Sequence, residues 1–140
     1  MKNIIIAFDF GIKNIGVAIG ENILKQGKAL KKLSAHNGHP NWNDVKYLFK
    51  TWEPNYTIVG LPLNMDGTHQ NITKKAKKFA NLLKHKFHTS VELHDERLST
   101  IEARSLIFNK HGFKGLSKDK IHSISAVLIL ESWLNQVFIN

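Results

Sequence analysis

Three carboxylates stand where small α/β proteins do chemistry. Asp9 ends an apolar run, Glu96 lies between an apolar segment and a helix-capping pattern, and Asp119 opens the last apolar stretch. Carboxylates brought from separate elements to one edge of a sheet can hold one or two divalent cations. A pair of such ions activates water and stabilises the leaving oxygen in phosphodiester cleavage. Each residue also has a plainer role open to it. Asp9 can support a turn at Gly11, because aspartate is common in turns. In His94-Asp95-Glu96-Arg97 the arginine can pair with either acid in a solvated turn, or contact phosphate while Glu96 holds a metal. Ser99 is fully explained as a helix cap. Asp9-Phe10-Gly11 followed by Gly16-Val17-Ala18 sets two glycines and a polar turn between apolar strands, a pattern shared by phosphate-contacting and ordinary hairpins.

The charge balance points to a polyanionic partner. Twenty Lys and Arg against eleven Asp and Glu leave a formal charge of +9 on 140 residues. From Gly67 to Val91 there is no acid, while Lys74, Lys75, Lys77, Lys78, Lys84 and Lys86 all fall there. A solvated helix face is the plainer reading of that run. With no cysteine, the chain has no disulfide, thiolate nucleophile or Cys-ligated metal. The apolar start Ile4-Ile5-Ile6-Ala7-Phe8 is cut short by Asp9, too early for a signal peptide or a spanning helix, so a cytoplasmic protein is expected.

The elements that must position these residues follow from periodicity. Strands are expected at Asn3 to Phe10, Ile15 to Gly20 and Lys28 to Leu33, making a meander. A helix after Pro40 carries Trp42, Val45, Leu48, Phe49 and Trp52 and stops at Pro54; a short strand covers Tyr56 to Val59, and a loop runs from Gly60 to Asn71. The lysine-rich helix spans Asn71 to Phe87, with Ala76, Phe79, Ala80, Leu83 and Phe87 as its apolar stripe. Val91 to His94 is a strand, Ser99-Thr100-Ile101-Glu102 starts a helix that Gly112 to Gly115 breaks, and one last helix runs from Lys118 to Phe138. The expectation is an α/β domain over residues 1–140 with a five-stranded mixed sheet flanked by helices.

Four blocks in order and spacing resemble the YqgF family of small bacterial proteins: Asp9-Phe10-Gly11 with Gly16-Val17-Ala18, Val59 through Gly67, Asp95 through Thr100, and Ser125 through Glu131. The resemblance spans essentially the whole chain. It implies a ribonuclease H-like fold and a metal-dependent nuclease, using Mg2+ or Mn2+, that trims the 5′ end of precursor 16S rRNA during ribosome biogenesis in the bacterial cytoplasm. Acids matching Asp9 and Glu96 are expected to be catalytic metal ligands. The family's third aspartate, in the last helix, falls where this chain has His122. Three readings stay open: His122 is a catalytic ligand, Asp119 replaces it from three residues earlier, or the site is weakened. An imidazole ligand suits manganese or zinc better than magnesium.

In the active reading, Lys13, Lys74, Lys77, Lys78, Arg97 and Arg104 bind the nucleic-acid backbone with little sequence preference. The partner is then RNA, as precursor 16S rRNA or a pre-ribosomal particle, or branched DNA, and the chain is a monomer or weak homodimer. A Holliday-junction resolvase would share the fold and metals; a non-catalytic RNA-binding assembly factor would keep the cations without cleavage. A phosphotransferase of the sugar-kinase type needs a second lobe for which 140 residues leave no room. Membrane binding is disfavoured, because the apolar residues beneath the lysines are ordinary core types.

Overall fold

The computed structural model describes residues 1–98 and 118–137, the side chains of Leu98, Lys118 and Asp119 apart. The helix expected from Thr100, its break at Gly112 to Gly115, and Arg104 lie outside the described residues.

Strands β1 (Ile4–Asp9), β2 (Asn14–Glu21) and β3 (Gln26–His36) form the expected antiparallel meander. A sixth strand corrects the expected five: after the Asn37-Gly38 turn, β4 (His39–Pro40) pairs with Ala35 and His36. It stops after two residues because Pro40 has no N–H to extend a ladder. Helix α1 (Trp42–Trp52) leads into β5 (Tyr56–Leu61), and α2 (Asn71–Phe87) into β6 (Val91–Asp95), which ends in a single 3-10 turn at Glu96–Leu98. The sheet order is β4-β3-β2-β1-β5-β6, with β5 parallel to both β1 and β6. These parallel crossovers carry the C-terminal ends of three strands to one edge, where loops collect.

Local chemistry sets the helix ends. The Asn41 side chain accepts from Asn43 N–H at 3.0 Å to start α1, and Glu53, at φ 44°, closes it just before Pro54. Gln70 N–H donates to Thr73 Oγ1 at 2.9 Å at the start of α2.

Two cores sandwich the sheet. Ile6, Phe8, Ile15, Val17 and Val59 face α1 and α2, where Phe8 meets Phe79 edge-on at 5.6 Å and Phe49 stacks on Phe87 at 4.6 Å. Ile5, Ala7, Ala18 and Ile58 face the C-terminal helix.

That helix is a second correction. The single helix expected from Lys118 to Phe138 is two, α3 (Lys118–Ile121) and α4 (Ile124–Val137), parted at His122-Ser123. The buried Ser123 hydroxyl is the reason, since its oxygen accepts from Val17 N–H at 2.9 Å and donates to Leu30 O at 2.6 Å. Ser123 ties the helix junction into β2 and β3, beside the irregular register between Ile15 and Val17. No helix among the described residues is long and apolar enough to cross a membrane.

Candidate active site

Alternation along β1 assigns Asp9 its face. It shares the side of Ile5 and Ala7, toward α4, and is half-buried at the strand's C-terminal end. Its antiparallel partner is Gly16, and the β1–β5 register, with Phe8 opposite Val59, sets Gly60 beside it. Gly60 in turn pairs with His94 of β6.

Glu96 returns to the same place. A Cβ built on Gly60 would lie 3.2 Å from both Cγ and Cδ of Glu96, and 2.5 Å from Ile129 Cδ1. The Glu96 carboxylate therefore folds back over the bare backbone of β5. Adjacent strands are about 4.8 Å apart, so Asp9 and Glu96 stand in neighbouring columns of one sheet face.

Gly16 completes the edge. A Cβ there would stand 2.3 Å from His122 O and 3.1 Å from Ser123 Cα, so the junction between α3 and α4 rests on the residue opposite Asp9. His122 thus borders the site through its backbone, and its side chain is exposed. Asp119 is placed in α3, one turn earlier, and its side chain lies outside the described residues. Among the described residues no three His, Asp or Glu side chains gather as a metal-holding group. The structure brings Asp9 and Glu96 together and does not bring His122 to them as a third ligand.

Arg97 takes Asp95. Its Nε lies 3.1 and 3.2 Å from the two carboxylate oxygens, Nη2 donates to Oδ2 at 2.7 Å, and its backbone N–H donates to Oδ1 at 2.9 Å. Nη1 reaches across to Met65 O at 3.1 Å, so one guanidinium ties the turn carrying Glu96 to the loop between β5 and α2. These bonds hold the Asp95 carboxyl below its usual range and push the Arg97 guanidinium up. That loop is itself ordered: Thr68 donates from both N–H and hydroxyl to Asp66, at 2.9 and 2.6 Å, holding the Asp66 carboxyl low.

The sequence reading missed a polar seam that docks α4. Glu92, His94 and Glu96 fall on one face of β6 and its continuation. Trp133 Nε1 donates to Glu92 at 2.6 Å, and His94 Nε2 lies 2.9 Å from Ser132 Oγ. Buried Glu131 accepts from Gly27 N–H at 3.0 Å. The available signal was polar residues inside an otherwise apolar helix. Burial pulls the His94 imidazole below its ordinary value, against the opposing pull of Asp95 and Glu92. Below about pH 6.5 the unfolded chain takes up a proton that folded His94 refuses, so stability falls as pH drops through that range and is unaffected above it. Thermal melts from pH 7.5 to 5 should show this slope in wild type and a smaller one in His94→Gln. Equal slopes would remove His94 from the account.

Of the predicted cations, Lys13, Lys74 and Lys78 are exposed and Lys77 is half-buried. The first turns of α2 rise from the loop after β5, so these lysines lie at the edge that carries Asp9. Lys86 instead packs its ammonium over the Trp42 ring, 5.0 Å from its centre.

Comparison with known proteins decides the family. Residues 3–136 match the profile of RuvX, described as Holliday junction resolvase. The chain belongs to the RuvX family. A relative from Buchnera aphidicola of Schizaphis graminum is 70% identical over 133 residues, covering 95% of this chain and 97% of that one. One from Escherichia coli O1:K1 / APEC is 51% identical over 136 residues, covering 97% and 99%. Both carry the name "Putative pre-16S rRNA nuclease". Among solved structures, Thermus thermophilus RuvC bound to a Holliday junction substrate superposes with a TM-score of 0.64 at 13% identity, over 98% of this chain and 96% of that one. Fowlpox virus resolvase with Holliday junction DNA gives 0.57 at 17%, over 96% and 98%. The RuvX chain therefore has the ribonuclease H-like fold of these resolvases. In that fold its meander, two parallel crossovers and C-terminal helix place Asp9 and Glu96 at the shared edge.

Proposed function

We propose that this RuvX-family protein is a divalent-metal-dependent nuclease that processes the 5′ end of precursor 16S rRNA in the bacterial cytoplasm. The observation that carries the reading is the convergence of Asp9 and Glu96, from two strand ends, on one sheet face. The names of its relatives support the substrate.

The site's donors are hard carboxylate oxygens on a glycine-lined floor, which fits Mg2+ or Mn2+. Asp9 and Glu96 would hold the ion, with Asp119 of α3 as the remaining candidate protein ligand. Bound there, the metal supplies Lewis-acid activation of water and charge stabilisation on the phosphate. The chain's own part is positioning. Arg97 fixes the turn that carries Glu96, and Ser123 locks the α3–α4 junction onto Gly16. Lys13, Lys74, Lys77 and Lys78 hold the backbone by charge, and exposed Arg97 adds its charge to that surface. Substrate choice then rests on RNA shape or on the ribosomal particle.

The test is cleavage of an end-labelled precursor rRNA leader, beside a four-way DNA junction, in Mg2+, Mn2+ or EDTA. Metal-dependent RNA products with a 5′-phosphate and a 3′-hydroxyl are expected. Cleavage of the junction alone would make the protein a resolvase, as the solved neighbours' substrates suggest. RNA binding without cleavage on any substrate would make it an assembly factor.

A further inference from the structure

The β3–β4 hairpin touches both halves of the proposed nuclease surface. It is tied to the turn that follows Asp9: Ala35 N–H donates to Lys13 O at 2.8 Å, and Gly38 N–H to Ile12 O at 2.9 Å. Gly38, at φ 82°, lies on the Phe10 ring so closely that a Cβ would sit 2.7 Å from Phe10 Cζ. Across a gap, Lys75 of α2 donates to Asn37 Oδ1 at 3.3 Å. Hairpin, turn and helix together enclose a cleft of about 160 Å³, with Phe10 and Phe79 at its floor and Asn37, His39, Lys75 and Lys78 around it. No Asp or Glu lines it. Lys75 and Lys78, three residues apart, carry their ammonium groups from one flank of α2.

We propose that this cleft is a phosphate subsite that grips the substrate polynucleotide's backbone next to the cleavage centre. The inference rests on the proposed nuclease function and assigns the β3–β4 hairpin, with Lys75, to substrate binding. Phe10 directly follows Asp9, so their side chains leave the strand end on opposite faces. A nucleic-acid strand crossing the sheet edge at Asp9 therefore meets the cleft as it rounds that edge. Two ammonium groups, the Asn37 amide and the His39 imidazole suit a tetrahedral anion, and the aromatic floor suits the adjoining sugar. The larger groove between β3 and α1, about 340 Å³, also carries two lysines, Lys31 and Lys32, but Asp44 lines it with them and no residue of the turn after Asp9 does.

The experiment compares a His39→Gln/Lys75→Gln variant with Lys84→Gln, a neutralisation in the far half of the same helix. A fluorescein-labelled single-stranded precursor-leader RNA is titrated by anisotropy at several salt concentrations, with a thermal melt of each protein. The cleft variant should bind about tenfold more weakly, with its salt slope reduced by roughly one, while Lys84→Gln stays within about twofold of wild type. Equal losses in the two variants would overturn the subsite, since the helix lysines would then be interchangeable. If the double variant melts early, Lys75→Gln alone decides, with about half the loss in log affinity expected. Wild type that cleaves normally while the cleft variants match it removes only the subsite. Wild type that binds neither RNA nor junction removes the nuclease reading, and the subsite with it.

Discussion

Asp9→Asn and Glu96→Gln should each reduce metal-dependent cleavage by more than about a hundredfold, while fold and RNA affinity stay near wild type. Both substitutions keep the shape of the side chain and remove the anionic oxygen that a hard cation requires. Glu96→Gln keeps the length and shape of the side chain that lies over the bare backbone of Gly60, so it should still fit there. Asp9 is half-buried at a strand end, outside the continuous apolar core, so its amide should cost little stability. Single-turnover cleavage, melting temperature and RNA titration on the same preparations check all three parts. Cleavage at the wild-type rate in either variant would move the chemistry elsewhere or expose a contaminating nuclease. Loss of RNA affinity together with activity would recast the pair as binding residues.

Gly16→Ala has the largest expected effect on the fold. Its Cβ would stand 2.3 Å from His122 O and 3.1 Å from Ser123 Cα, both backbone atoms that no rotamer change can move. To make room, the α3–α4 junction must lift, pulling Ser123 Oγ from Val17 N–H and Leu30 O in a buried setting. Overpacking of this kind costs about 1–3 kcal/mol, and stranded buried hydrogen-bonding groups add to it. Because Gly16 pairs with Asp9, the same shift disturbs the site. Urea unfolding should show a lower midpoint, with cleavage reduced at temperatures where the variant is still folded. A midpoint equal to that of wild type would mean the junction has slack the structure does not show. Gly16 sits in the first block of the family resemblance, and its role here is steric: it admits the helix junction.

Much was legible along the chain because it is local. Strand alternation, the span of α2 from Asn71 to Phe87, and the end of α1 before Pro54 all follow from side-chain period and the backbone limits of proline. Asp9 and Glu96 stood out from their positions at the ends of apolar segments. Arg97's pairing with a neighbouring acid was also visible, because its partner lies two residues away.

Which acid it took was a tertiary decision. Asp95 can accept the guanidinium while the loop carbonyl of Met65 receives its other end, and Glu96 then turns over Gly60. Likewise a helix pattern does not reveal that Ser123 will spend its hydroxyl on β2 and β3, 106 and 93 residues away, and so break the last helix at His122. The phosphate cleft joins a turn, a hairpin and a helix that no sequence window spans. By itself the sequence determined most of the elements, their order and the two carboxylates at their ends, since propensity and period act over a few residues. Only the tertiary structure decided that those carboxylates share one face, because parallel strand register and close packing at glycines arise from contacts far apart in the chain.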